Sequence, residues 1–172
     1  IYFMVALDVF IFSSEVGNIG EFTFFNALPR LFVLANSYAL GIIISHELTH
    51  KENFLDRAVG SLILIKNCYM HYTIDHIYGH HKRVSTPEDP SSAPRGITLY
   101  QFVRKTVKNT FLSAYEMYPK LVVLGTIASF AFVMVLYKLY GWKVVLIHLF
   151  AAAGSIQLLE TANYMEHYSN ER

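Results

Sequence analysis

Histidines occur in this sequence at spacings that could place several imidazoles around one point. Six of the eight histidines fall between positions 46 and 81. His46 and His50 are four residues apart, and so are His76 and His80, with His81 directly following. Because a four-residue step on a helix returns to nearly the same face, each pair could direct two imidazoles at one point. Imidazole binds zinc, copper, iron and nickel, so the pattern predicts a metal site.

The composition is typical of a membrane protein. Hydrophobic residues make up 53% of the 172 positions and charged residues only 16%, against roughly a quarter charged in an ordinary globular protein. The net charge of +1 gives no indication of a nucleic-acid partner. A single cysteine, Cys68, excludes an internal disulfide and a cysteine-based metal cluster. We expect one membrane-embedded domain over 1–172, a fragment truncated at both ends because neither end carries a start, capping or tail signal.

Apolar segments predict an all-α, integral-membrane helical bundle. One span covers 28–45 and continues into a helix extension with the first histidine pair, while 121–140 and 142–160 form a hairpin that turns at Gly141. The apolar part of 53–72 is short and lies between Arg57 and Lys66, which favours a re-entrant, interfacial or buried helix. Three prolines after position 86 predict an irregular loop, and 98–118 has the pattern of a basic, amphipathic surface helix.

The charge distribution predicts which side of the membrane the histidines face. Ten of the 14 Lys and Arg residues lie between positions 46 and 120, so this region should be cytoplasmic. If 53–72 does not cross the bilayer, both histidine groups lie on that side, and the hairpin returns the last histidine to it. The expected cluster is His46, His50, His76, His80, His81 and His167. His71 and His148 are expected to be structural.

An acid stands beside each histidine group: Glu47, Asp75 and Glu166. Such carboxylates could accept the second N–H of a metal-bound imidazole or bind the metal directly. Five or six imidazoles exceed what one tetrahedral zinc ion needs, so two ions are the economical number, and iron is favoured if the site performs oxygen chemistry. The HELTH segment by itself also matches the HExxH motif of zinc proteases, with Glu47 as the general base.

Three segments in this order, HELTHK, DHIYGHHKRVSTPEDPSSA and NYMEHYS, resemble those of the integral-membrane alkane monooxygenases (alkane omega-hydroxylases). These enzymes belong to the membrane fatty acid desaturase and hydroxylase superfamily. The resemblance covers about positions 40 to 168. Asp75 and Ser169 stand where that family usually has Glu and Gly. Its members carry a further histidine cluster downstream, so we expect the 172 residues alone to lack several ligands and to be inactive.

The resemblance implies a di-iron centre on the cytoplasmic side, held by the six histidines named above. It also implies that one oxygen atom of O2 enters the terminal methyl of a medium- or long-chain alkane, with electrons from a rubredoxin-type carrier. There are four alternatives. Two are reactions of the same superfamily: desaturation or hydroxylation of an acyl lipid, and hydroxylation of an aromatic methyl group. The other two are a membrane zinc protease and a metal-handling membrane protein without enzymatic activity. We further expect the alkane to pass from the bilayer to the histidines between the spans at 28–45 and 121–160. This route would run past Gly41, Ala128 and Gly154.

Overall fold

The computed structural model describes residues 1–21 and 23–170, and every regular element among them is a helix. The α-helices are α1 (Tyr2–Gly17), α2 (Phe24–Thr49), α3 (Phe54–Lys66), α4 (His71–Ile74), α5 (His81–Arg83), α6 (Leu99–Met117), α7 (Pro119–Tyr140) and α8 (Trp142–His167). A 3₁₀ turn covers Ile19–Glu21, and a π-helical turn, Asp75–His80, joins α4 to α5. The predicted all-α class is confirmed, whereas the single domain over 1–172 remains a prediction.

Three helices, α2, α7 and α8, are long and apolar enough to cross a membrane. They correspond to the three predicted spans, and Gly141 joins the last two with φ of 81°, a value that glycine adopts without steric cost. Both α2 and α8 continue beyond their apolar segments. His46 therefore lies in the last turn of α2, and His167 is the last residue of α8.

Helix α3 is too short to cross a bilayer, because its 13 residues extend only about 20 Å against a hydrocarbon core of about 30 Å. It runs back along α2: Ser45 Oγ donates to Gly60 O at 2.8 Å, and Asn67 Nδ2 reaches Tyr38 O at 2.8 Å. The chain then returns through α4 to the level of His46. Residues 54–80 thus form a re-entrant hairpin that begins and ends at the same end of α2.

Helices α2 and α8 pack side by side and run parallel. Leu34 and Tyr38 pack against Ala151 and Ala152, and further along both helices Ile42 packs near Ile156 and Leu159. Gly154 allows this close approach, since a Cβ there would lie 3.0 Å from Cβ of Ala35. Because both helices advance in the same direction, their histidine-bearing ends meet at one end of the bundle.

Candidate metal centre

Four imidazoles converge where the re-entrant hairpin meets the end of α2. We call them the four-histidine cluster: His46, His50, His76 and His81. Nε2 of His46 lies 2.7 Å from Nε2 of His76 and 3.2 Å from Nε2 of His50, and Nε2 of His81 lies 2.9 Å from that of His76. One potential ligand atom from each ring lies within 4.8 Å of the other three.

The π-helical turn brings both later histidines against His76. The sequence predicted that His76 and His80 share a face at a four-residue step, and their rings stack at a centroid distance of 5.3 Å. The turn, whose backbone hydrogen bonds run from i to i+5, also places the His81 ring edge-on to His76 at 4.5 Å. The nitrogen nearest to His76 Nε2 from this part of the chain belongs to His81, whereas Nδ1 of His80 faces a carboxylate.

The surroundings of the cluster favour neutral imidazoles. Burial, followed by the nearby histidines, lowers the pKa of His76 to about 2. Burial and the proximity of His50 and His80 also lower the pKa of His81. A neutral imidazole offers a free lone pair, which is the form that binds a metal ion. Electrostatics thus keep both rings in the ligand form at neutral pH.

His80 has a carboxylate partner that was absent from the sequence-based site. Its Nδ1 lies 3.0 and 3.1 Å from the two carboxylate oxygens of Asp89, which is 1% exposed. Burial alone would raise the pKa of Asp89, but hydrogen bonds from His80, the Ser91 N–H and the Ser92 hydroxyl outweigh it and hold that pKa below its usual value. Asp89 therefore fixes the orientation of the His80 ring, and Nε2 of that ring is available to bind a metal ion.

The loop with Asp89 is held in place by contacts to the end of α8 and to α6. Ala93 O accepts from the Ser169 N–H at 2.9 Å, and the Tyr168 hydroxyl accepts from the Gly96 N–H at 3.1 Å. Lys105 Nζ donates to Ser92 O at 2.8 Å. Asp89 lies in the VSTPEDPSSA segment. An acidic residue within this proline-rich loop was the sequence signal for a partner of His80. Sequence periodicity, however, does not predict the geometry of an irregular loop.

His167 completes a second group, in which its ring centroid lies 5.0 Å from that of His80. This His80–His167 pair lines one cleft of about 480 Å³ together with three members of the four-histidine cluster, His46, His76 and His81. The cleft also has an apolar part made of Ile43, Leu159 and Ala162. All six predicted histidines thus lie at one end of the bundle, with four in one cluster and two beside it.

The three acids predicted to support the histidines have other surroundings. Glu47 is exposed and pairs with Lys51 at 2.6 Å, one helical turn away. Asp75 is buried and pairs with Arg83 at 3.4 Å, and burial raises its pKa. Among the described residues neither carboxylate forms a hydrogen bond with an imidazole, and the supporting role predicted for them stays a prediction. Glu166 lines the cleft, so its part in metal binding remains a prediction.

His71 and His148 lie outside the centre. The His71 ring packs edge-on against Tyr69 and Phe111, with centroid distances of 4.6 and 5.2 Å. Nδ1 of His148 lies 2.7 Å from the Tyr38 hydroxyl, between α8 and α2. Their placement fits the structural roles predicted for both.

The cluster geometry fits a first-row transition metal. Two nitrogens that bind one ion at about 2.1 Å and at a right angle lie about 3.0 Å apart. The three closest pairs in the cluster span 2.7 to 3.2 Å. An all-imidazole donor set suits iron, copper, nickel and zinc.

Comparison with known proteins is consistent with this arrangement. The family model described as "Fatty acid desaturase" matches residues 25–172. Alkane 1-monooxygenase 1 of Pseudomonas aeruginosa is 34% identical over 148 residues, covering 78% of this chain and 39% of that protein. Alkane 1-monooxygenase of Acinetobacter baylyi is 33% identical over 147 residues, covering 77% of this chain and 36% of that protein.

A shorter match involves a different substrate class. The hydroxylase component of the xylene/toluene monooxygenase of Pseudomonas putida is 35% identical over 60 residues, which is 35% of this chain and 16% of that protein. The chain spans less than half the length of each of these relatives. Its helices, its histidine cluster and the match over residues 25–172 together show that this integral-membrane chain belongs to the fatty acid desaturase family.

Proposed function

We propose that this chain forms the histidine-bearing part of a di-iron membrane monooxygenase that hydroxylates the terminal methyl of medium- or long-chain alkanes. The proposal includes O2 as oxidant and a rubredoxin-type carrier as electron donor. The observation that carries it is the convergence of four imidazoles within 4.8 Å, in a chain 34% identical to an alkane 1-monooxygenase over 78% of its length.

The two histidine groups suggest how two ions would be held. His46, His50, His76 and His81 would hold one ion, and His80 and His167 would contribute to the other. Iron bound there would supply the reduction of O2 and the oxidation of a C–H bond. Glu166, which lines the same cleft, would stand close to both groups as a further ligand or a hydrogen-bond acceptor.

The chain's own residues would orient the donors and exclude water. Tyr72 stacks on His76 at a centroid distance of 5.1 Å and holds that ring in place. The buried Glu160 accepts hydrogen bonds from the Tyr69 hydroxyl at 2.9 Å and from Asn163 at 3.1 Å, which ties the re-entrant hairpin to α8. These contacts preorganise the imidazoles, as an efficient site requires.

An alkane would reach the histidines across the apolar part of the cleft. Ile43 is 57% exposed and lies beside Leu159 and Ala162 in the cleft wall. The route predicted past Gly41 and Gly154 needs correction, because a Cβ at Gly41 would lie 3.2 Å from Ile63 and one at Gly154 would lie 3.0 Å from Ala35. Those two glycines are helix-packing positions, so bulk there would separate helices.

The charge distribution supports a cytoplasmic position for the centre. The re-entrant hairpin, its following loop and α6 carry most of the lysines and arginines, and positive residues favour the cytoplasmic side. A rubredoxin-type carrier is a soluble protein and would approach from that side.

A zinc protease fits the site less well. Glu47, the required general base, forms an exposed ion pair with Lys51 instead of facing the cleft. A protease would also leave His76 and His81 without a role, although both lie within 4.8 Å of His46 and His50.

The test uses the full-length protein that contains this chain, purified with iron and supplied with rubredoxin, its reductase and O2. We expect about two iron ions per chain and a primary alcohol from a linear alkane. An acyl lipid and a methylbenzene are the parallel substrates, and oxidation of one of these alone would move the assignment to the corresponding branch of the family. One zinc per chain and no oxygen consumption would refute the proposal.

A further inference from the structure

A second concave surface lies away from the candidate metal centre, where the re-entrant hairpin and α6 meet α7. This lipid groove has a volume of about 470 Å³ and is lined mainly by Met70, His71, Phe111, Thr126, Phe130 and Val133. Phe130 is 66% exposed, so the groove is open. Burial lowers the pKa of His71 to about 4, which leaves its ring neutral. The groove follows two turns of a membrane-spanning helix, so its natural occupant is a hydrocarbon chain.

The groove exists because α7 has small residues where the re-entrant hairpin meets it. A Cβ at Gly125 would lie 2.7 Å from Sδ of Met70, so only glycine admits that side chain. The buried Ser129 follows one turn later. Bulky side chains flank these positions, and the resulting channel runs along the helix axis, as an acyl chain does in a bilayer.

Positive charge lies next to the groove on α6. Arg104 and Lys108 share one exposed face of α6 with Phe111 and Tyr115, because their spacing is close to a helical repeat. Neither cation forms a hydrogen bond or ion pair with any other residue that the structure describes. Lys108 is about 4.5 Å and Arg104 about 10.5 Å along the axis from Phe111. Lys108 is therefore the nearer cation, about one turn from Phe111, and Arg104 continues the same positive face one turn further along α6.

The position of α6 places these cations at the membrane surface. Helix α6 ends at Met117, and α7 enters its membrane span at Pro119. Tyr115 and Tyr118 are 47% and 40% exposed at this junction, and tyrosine is enriched at the level of lipid headgroups. Cations above an apolar edge with interfacial tyrosines are typical of helices that lie in the plane of a bilayer surface.

We propose that the lipid groove and the two α6 cations form a binding site for one anionic phospholipid. An acyl chain occupies the groove, and Arg104 and Lys108 bind the phosphate. Two unpaired positive charges favour a headgroup with net negative charge over a zwitterionic one. This site is separate from the histidine centre, so it does not depend on the proposed reaction.

The test measures lipid that remains with the full-length protein after reconstitution into phosphatidylcholine discs with a minor fraction of phosphatidylglycerol. Mass spectrometry gives each lipid per chain. The wild type should enrich phosphatidylglycerol. R104Q/K108Q should reduce this enrichment by about 10- to 30-fold, because a cation near an anionic surface contributes about 1 kcal/mol. The matched control K138Q/K143Q removes two exposed lysines at the other end of the α7–α8 hairpin and should retain it.

A second pair of variants tests the groove. Thr126→Phe fills it from an exposed position, whereas Ile127→Phe places the same side chain on α7 outside it. The first should lower retained phosphatidylglycerol and the second should not. Three results would overturn the proposal. R104Q/K108Q could enrich phosphatidylglycerol as strongly as wild type, K138Q/K143Q could lose the enrichment to the same extent as R104Q/K108Q, or wild type could retain phosphatidylcholine alone. The proposal would also fail if wild type retained no lipid, since another segment would then cover the groove.

Discussion

The four-histidine cluster and the His80–His167 pair are built in different ways. The cluster takes all its nitrogens from two chain segments, which the re-entrant hairpin brings together: the end of α2, and the π-helical turn with the first residue of α5. The pair joins residues 87 positions apart and depends on a carboxylate from an irregular loop. The cluster is therefore a compact donor set, whereas the pair depends on long-range contacts.

This difference predicts unequal metal affinity. Four imidazoles whose ligand atoms lie within 4.8 Å of one another, with the three closest pairs 2.7 to 3.2 Å apart, can occupy most of the positions around one ion. In the described part of the chain the pair supplies two imidazoles, so its ion needs additional ligands. We expect the cluster to fill first when metal is added to the full-length apoprotein.

The largest effect should follow from replacing the central histidine of the cluster. His76→Ala removes the nitrogen that lies closest to two others, and we expect metal affinity at the cluster to fall by more than about 100-fold, beyond the 10- to 100-fold cost of losing a ligand's hydrogen-bond partner. Metal titration of the full-length protein measures this. His71→Ala is the control, because that ring lies outside the centre. Unchanged affinity in His76→Ala would show that the cluster holds no metal.

A smaller effect should follow from Asp89→Asn, and it should be confined to the His80–His167 pair. The substitution keeps an oxygen that can accept the His80 N–H but removes the charge, so affinity for the second ion should drop about 10- to 100-fold. The first ion should bind as in wild type. Glu88→Gln, on the exposed neighbour, is the matched control. Loss of both ions together would mean that the two groups act as a single site.

Gly79→Ala tests the π-helical turn that separates the two groups. An added Cβ would lie 2.6 Å from both Arg83 Nη2 and Asp75 Oδ1 and would displace that ion pair. We expect a loss of about 1 kcal/mol, at the low end for overpacking because side-chain ends can move. Thermal unfolding should show a lower midpoint for Gly79→Ala. Gly17→Ala, where no atom lies within 4 Å, should not lower it, and equal midpoints would argue against a tightly packed turn.

The smallest effect should come from Glu47→Gln. The Glu47 carboxylate is exposed and pairs with Lys51, so metal binding and hydroxylation should remain within about twofold of wild type, as expected for a surface ion pair. Turnover with an alkane measures this, with Lys51→Gln as the partner control. Loss of turnover in Glu47→Gln alone would place that carboxylate in the chemistry.

Much of the fold could be predicted from local pattern. Apolar length identified the three spans, because a bilayer of fixed thickness demands about 20 apolar residues. The shortness of 53–72 predicted a helix that does not cross, and α3 is one. Its direction, back along α2 and out again, depends on contacts such as that of Asn67 with Tyr38, which no local pattern encodes.

The sequence predicted which histidines would lie together at the candidate site, but it did not predict the contacts that each of them makes. Histidine spacing and helix order placed six imidazoles at one end, and the structure brings them there. The π-helical turn was missed, because histidine positions alone do not distinguish it from an α-helical turn. His80 does stack on His76 as expected, but His81 makes the closer nitrogen contact with His76, and the loop carboxylate of Asp89 beside His80 went unnoticed.

By itself the sequence determined the helical class, the membrane spans, the family resemblance and the list of candidate ligands, because these follow from composition, periodicity and motif order. Only the tertiary structure decided which imidazoles face one another, which acid contacts His80 and where α7 leaves an open groove. Those features arise from packing between residues far apart in the chain, and their energies depend on distances that a linear sequence does not contain.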